Sequence, residues 1–177
     1  RSVKMTKGKF IVFEGIDGAG KTTQVKLLAD KINALGGSYC LTAEPTELPS
    51  GKELRRVLGG EIKKSDCEIA TLFTLDRIAH NVDAANGIEA HLKAGRTVLC
   101  DRYYYSSLAY QGSETDFEWV KHMNLDCPEI RTPDACIFLD LTPEESLERI
   151  SKGRATTEIY ETKEKLTAVR NKILSVF

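Results

Sequence analysis

Eight consecutive residues, Gly15-Ile16-Asp17-Gly18-Ala19-Gly20-Lys21-Thr22, match the pattern G-x-x-x-x-G-K-[ST], whose chemistry is the grip of a polyphosphate. Glycines in such a loop let successive backbone N–H groups face an anion, and a following helix adds its positive N-terminal end. Lys21 is then placed to reach the outer phosphates of a nucleotide and the Thr22 hydroxyl to ligate magnesium. A second candidate group is Asp101-Arg102-Tyr103, followed by Ser106-Ser107-Leu108-Ala109-Tyr110-Gln111. Asp101 suits a magnesium-bound water, and the Arg102 guanidinium forks onto a phosphate. Taken singly, the first motif also reads as a plain Gly-rich connection and the second as a surface Asp-Arg pair.

What positions these residues is read from hydrophobic patterning. Four short apolar runs stand out, Lys9 to Glu14, Ser38 to Thr42, Thr97 to Asp101 and Ala135 to Leu141. Their apolar residues are consecutive more than alternating, which predicts strands buried on both faces of a parallel sheet. Helical spacing predicts a helix over Thr22 to Leu35, stopped by Gly36-Gly37. Asp66 to Ala94 reads as one long helix or two joined near Asn86-Gly87. Further helices are expected near Gly51 to Leu58, Tyr105 to Ala109, Asp116 to Asn124, Pro143 to Ser151 and Glu158 to Val176. Strand and helix alternate throughout, the pattern of a doubly wound α/β domain. The phosphate-loop motif then opens the helix after the first strand. Asp101-Arg102 ends the third strand, facing the ligand crevice.

Composition bounds the rest. At 177 residues the chain suits one domain, expected over 8–177, with 1–7 read as an N-terminal extension or remnant outside the fold. Lys and Arg number 25 against 26 for Asp and Glu, which gives no field for a nucleic-acid polymer or an anionic membrane. No apolar stretch approaches the ~18 residues of a membrane span. Five cysteines in no C-x-x-C pair argue against a disulfide framework or a zinc knuckle and for a reducing cytoplasm. An N-K-x-D guanine-reading motif is missing, which disfavours a GTPase and leaves small-molecule kinases.

Residues Phe13 to Gln24, Glu44-Pro45-Thr46, Leu72-Phe73-Thr74-Leu75-Asp76-Arg77 and Asp101-Arg102-Tyr103 through Tyr110-Gln111 follow one another in an order and spacing that resembles bacterial or archaeal thymidylate kinase. Pro133-Asp134, Phe138 to Leu141 and Pro143-Glu144 continue the likeness. The resemblance implies a P-loop nucleoside monophosphate kinase that uses ATP and magnesium to turn dTMP into dTDP, and it suggests a homodimer. It further implies that Phe73 stacks on the thymine ring and that Arg77, one helical turn on, donates to a pyrimidine carbonyl. Arg102, with Arg55, would hold the acceptor 5′-phosphate, and Tyr110 would fill the space a ribose 2′-hydroxyl needs. Asp17 would face the acceptor sugar, and Ser106, Ser107 and Gln111 would line the base pocket. Read as residues alone, Phe73 is equally an aromatic of an apolar helix face and Arg77 a solvated charge.

The chain departs from the family pattern at several points. Gly18 leaves the phosphate loop without a basic residue, so a short helical lid over 149–161 must supply the charge, with Arg149 and Arg154 as candidates and Arg154 preferred. Thr157-Glu158 stands where many relatives carry Asp-Arg, and Ala43 where arginine is common. The resemblance also implies a further strand and helix beyond Phe177. Three histidines, His80, His91 and His122, are expected to be structural, because an ionised phosphate acceptor needs no base. Another P-loop monophosphate or nucleoside kinase and a non-catalytic ATP-binding module remain as rival readings.

Overall fold

The computed structural model describes residues 8–153 and 162–176. Among them the strands β1 (Phe10–Glu14), β2 (Tyr39–Ala43), β3 (Thr97–Asp101) and β4 (Ala135–Phe138) form one parallel sheet in the order β2-β3-β1-β4. Phe10 of β1 pairs with Val98 of β3, and Ile11 with Ala135 of β4. The doubly wound expectation holds, because helices cover both faces. Phe10 and Val12 join Val98 and Cys100 in a core with Ala70, Ile88, Leu92 and Leu108. Phe13 and Leu99, on the opposite face, pack with Val25 and Ala29 of helix α1 (Lys21–Ala34). Successive strand side chains therefore feed two cores, as the two-residue period requires.

Burial on both faces holds for the two central strands and fails for the outer two. Core positions of β1 and β3 are sealed, whereas β2 and β4 alternate between half-buried and exposed. Cys100 in β3 is accordingly buried, while Cys40 in β2 and Cys136 in β4 are only partly so. An edge strand has a neighbour on one side only, and consecutive apolar residues do not reveal which strands lie at the edge.

The long helical pattern divides into α3 (Asp66–Val82) and α4 (Ile88–Lys93). Asp83 ends α3 by accepting from the Ala85 and Asn86 amides, and a Cβ on Gly87 would lie 2.4 Å from the Asp83 carbonyl oxygen. A Ser65/Glu68 capping box starts α3. The remaining helices are α2 (Pro49–Leu58), α5 (Tyr104–Ala109), α6 (Gln111–Glu114), α7 (Phe117–Leu125), α8 (Pro143–Gly153) and α9 (Lys163–Val176). Of these, α6 has no counterpart in the pattern reading, since four residues are too few to show a period. Leu166, Val169 and Ile173 of α9 close a third cluster with Ile16, Leu58, Ala109 and Tyr110.

Candidate active site

The phosphate loop joins β1 to α1. Its tight path needs glycine at Gly15, which has φ 146 and where a Cβ would sit 2.6 Å from the Leu139 carbonyl oxygen. Helix α1 begins on Gly20 with no side-chain cap and no acidic residue in its first turn, so its N-terminal N–H groups and positive dipole end are offered to an anion. Lys21 is 6% exposed, and its Nζ donates to the Gly15 and Ile16 carbonyls at 2.9 and 3.0 Å. Burial, and then the nearby Arg102 charge, pull the Lys21 pKa down to about 8. Ile16 is buried in the third cluster, so it contributes backbone only. From beneath, Ser146 Oγ donates to the Asp17 carbonyl at 2.6 Å and Arg149 Nη1 to that of Gly18 at 3.2 Å.

One strand away, Asp101 Oδ2 accepts from Thr22 Oγ1 at 2.7 Å. The two candidate metal residues thus share one point at the mouth of the loop. No group of three or more His, Cys, Asp and Glu side chains that could hold a metal occurs among the described residues. The pair fits magnesium, which keeps waters and phosphate oxygens as most of its ligands and takes few from protein.

Arg102 follows β3 in the left-handed region at φ 70, an uncommon conformation for a residue with a Cβ. Its Nη2 donates to Asp17 Oδ1 at 2.7 Å, its Nη1 to Ser106 Oγ at 2.9 Å, and its guanidinium lies 5.5 Å from the Tyr110 ring centre. These residues wall a chamber closed by Phe73, Gln111, Leu58 and Arg55, with Glu44 and Pro45 on the remaining side. The chamber runs into the groove over Gly18, Gly20, Lys21, Thr22 and Asp101, and both share Asp17, Glu44, Pro45, Arg55 and Arg102. One continuous cleft therefore links the phosphate loop to a side chamber with an aromatic wall.

Two residues expected in the chamber lie elsewhere. Arg77 is fully buried behind its wall, where Nε and Nη2 donate to Glu44 Oε2 at 2.8 and 2.7 Å and Nη1 to Asn124 Oδ1. Turning i to i+4 along α3 leaves Phe73 at the chamber and carries Arg77 under the β2–α2 connection. It is no solvated charge either. Ser107 is buried and does not line the chamber, and its Oγ makes no hydrogen bond among the described residues. Arg154, with 154–161 of the expected lid, lies outside the described residues. Arg55 does wall the chamber, and its donors rest on the Pro45 and Thr46 carbonyls and on Glu47.

The structure adds residues that motif reading left without a role. Glu44 holds Arg77 through Oε2 and meets His80 Nδ1 through Oε1 at 2.9 Å, while His80 Nε2 contacts Thr42 Oγ1 at 2.6 Å. His80 is buried and contacts a partner at each ring nitrogen, and one of those partners, Glu44, is a chamber residue. Asp76 accepts from the Thr46 amide, the Thr46 hydroxyl and Ser50, which ties the Glu44-Pro45-Thr46 segment to α3. Glu14 is fully buried and accepts from the Tyr103 and Ser106 amides and from Ser106 Oγ. Burial pushes its pKa up, against the Arg102 and Lys21 charges and these donors. The available signal for Glu14 was a carboxylate closing an otherwise apolar strand.

A family model described as thymidylate kinase matches residues 13–177. The chain belongs to the thymidylate kinase family. A probable thymidylate kinase of Methanococcus aeolicus is 42% identical over 172 residues, covering 95% of this chain and 79% of that protein. One from Pyrococcus horikoshii is 41% identical, with 96% of this chain and 83% of that protein covered. The thymidylate kinase of Leptospira interrogans is 38% identical, with 96% and 81% covered. Among solved structures, the thymidylate kinase from Candida albicans superposes with a TM-score of 0.77 at 26% identity, covering 97% of this chain and 78% of that one. The archaeal and bacterial relatives agree with the resemblance carried by the sequence motifs, and the fungal structure with the fold.

Proposed function

We propose that this chain transfers the γ-phosphoryl group of ATP to dTMP, giving ADP and dTDP, and that Thr22 and Asp101 are the residues that would hold the magnesium accompanying ATP. The observation that carries the reading is the single cleft in which a phosphate loop meets a chamber holding Arg102, Phe73 and Tyr110, in a chain of this family. The nucleophile is an oxygen of an already ionised phosphate, so the protein's task is alignment and charge neutralisation. Loop amides and the α1 N-terminus take the donor phosphates. Lys21 moves from the Gly15 and Ile16 carbonyls onto their outer oxygens, where its positive charge is favoured. Magnesium, when bound, neutralises charge on the phosphates.

On the acceptor side Arg102 forks onto the 5′-phosphate, with Arg55 beside it, and Asp17 faces the sugar. Phe73 stacks on the base, Tyr110 closes the sugar's 2′ side, and Ser106 and Gln111 complete the wall. Arg77 enters through Glu44, whose carboxylate it holds at the chamber. Arg154 supplies the remaining charge to the transferring group.

Support for a homodimer comes from apolar side chains left open on α3 and α7, Leu75 at 53%, Val82 at 48% and Trp119 at 38% exposure. A cytoplasmic setting is supported by cysteines that are all free. No helix among the described residues is long and apolar enough to cross a membrane.

The test is ADP formation with ATP and magnesium across dTMP, dUMP, dCMP, UMP, AMP and thymidine. dTMP is expected to be turned over best. dUMP should be disfavoured by only about 1–3 kcal/mol for its missing methyl, and dCMP by more for its mismatched edge. Equal rates for dTMP and dCMP overturn the thymine reading. Preference for another acceptor selects a different kinase of this fold, and ATP binding without any turnover selects a binding module.

A further inference from the structure

We propose that Glu14 is a positioning residue of the acceptor site, holding Arg102 in both its backbone conformation and its side-chain direction. This rests on the reading that Arg102 grips the acceptor phosphate. Glu14 ends β1 with its carboxylate fully buried, a placement that is tolerated only when hydrogen bonds replace the lost water. Among the described residues, the three donors it accepts from belong to the segment just after Arg102. Oε1 takes the Tyr103 amide at 2.8 Å and the Ser106 amide at 3.1 Å, and Oε2 takes the Ser106 hydroxyl at 2.6 Å.

That segment needs holding. Arg102 sits at φ 70, and a non-glycine residue stays in such a conformation only where its surroundings over-determine it. Two consecutive residues of β1 do so. The Phe13 carbonyl accepts from the Arg102 amide at 2.9 Å, and the Glu14 carboxylate accepts from the next amide along, that of Tyr103. The same carboxylate then reaches the guanidinium through one intermediate, because Ser106 Oγ donates to Glu14 and accepts from Arg102 Nη1 at 2.9 Å. With Asp17 on Nη2, the fork is fixed at two nitrogens, and Glu14 stands behind one of them. Glutamine has the same shape, but an N–H in place of Oε2 takes away the acceptor of the Ser106 hydroxyl, which can then no longer donate to residue 14 while it accepts from Arg102.

The experiment compares Glu14→Gln, Arg102→Ala and the double variant by separate KM values for dTMP and ATP, with thermal melting and direct ATP binding to establish the fold. Glu14→Gln is expected to raise the dTMP KM about tenfold, within the coupling range for groups in one hydrogen-bond network, and to leave the ATP KM within about twofold. In the Arg102→Ala background the same change should add less than about twofold. Equal losses for ATP and dTMP, or full additivity in the double variant, overturn the inference and make Glu14 a residue of general stability. An unchanged dTMP KM in Arg102→Ala overturns the acceptor reading and this inference with it, whereas an effect there with none in Glu14→Gln overturns the inference alone. Should Glu14→Gln fail to fold, Ser106→Ala removes only the intermediate hydroxyl. It should raise the dTMP KM about fivefold, the scale of one hydrogen bond, and an unchanged value is then the overturning result.

Discussion

The donor half of the cleft occupies eight consecutive residues, Gly15 to Thr22, and works mostly through backbone. Apart from Asp17 of the phosphate loop, the acceptor half draws side chains from the β2–α2 connection, α2, α3, the end of β3, α5 and α6, over more than sixty residues of chain from Glu44 to Gln111. Backbone amides and a helix end make a site whose charge is organised before a ligand arrives. A chamber of side chains is organised only as well as its supports, here the Glu14, Glu44 and Asp76 carboxylates. Damage should therefore be abrupt on the donor side, with loss of turnover, and graded on the acceptor side, with loss of dTMP affinity.

The largest effects that sharpen this contrast are expected at the charges on the transferring phosphoryl group. Arg154→Ala should lower turnover by about 10³–10⁵ and Lys21→Met by roughly 10²–10³, both read as kcat in steady-state assays while dTMP affinity holds. A matching loss of dTMP affinity breaks the contrast, and unchanged turnover in Arg154→Ala removes that residue from the mechanism. Next is Arg77→Met, which leaves Glu44 buried without its cation and should cost about 3–5 kcal/mol in stability by denaturant titration. A stable variant with a raised dTMP KM would instead place Arg77 in direct contact with the base.

Phe73→Ala comes third, since losing one base stack is worth about 1–3 kcal/mol. The dTMP KM should rise accordingly with the ATP KM unchanged, and an equal rise in both would make Phe73 a packing residue only. The smallest signal is a proton. Lys21 has its pKa lowered from 10.5 to about 8 in the free protein, so between those values the folded chain lacks a proton that the unfolded chain holds. Stability contributed by this group therefore rises with pH across the window. Nucleotide phosphates favour the charged amine, so ATP binding should take up part of a proton near pH 9, seen by calorimetry in buffers of different ionisation enthalpy. No uptake, with ATP bound, leaves Lys21 off the phosphates.

What could be read from the chain by itself was whatever depends on near neighbours. The phosphate loop was legible because its glycines, Lys21 and Thr22 meet a conformational demand within eight residues. The four strands were legible as short runs of consecutive apolar residues, and most helices because apolar residues recur every three to four positions. Asp101 and Arg102 were placed at the crevice by strand direction alone, and the structure sets Asp101 against Thr22 and Arg102 against Asp17.

Tertiary structure decided which polar side chains meet and which strands lie at the edges. Glu44 and Asn124 stand 33 and 47 residues from Arg77, and no local pattern links them. Glu14 meets Ser106 across 92 residues, a contact that exists because β1 pairs with β3. The rotation of α3 about its own axis sent Phe73 to the chamber and Arg77 into the core, although both lie on one side of the helix. A hydrogen bond is a matter of tenths of an ångström, set by how whole elements pack, whereas periodicity and turn chemistry act over a few residues and stand written in their order.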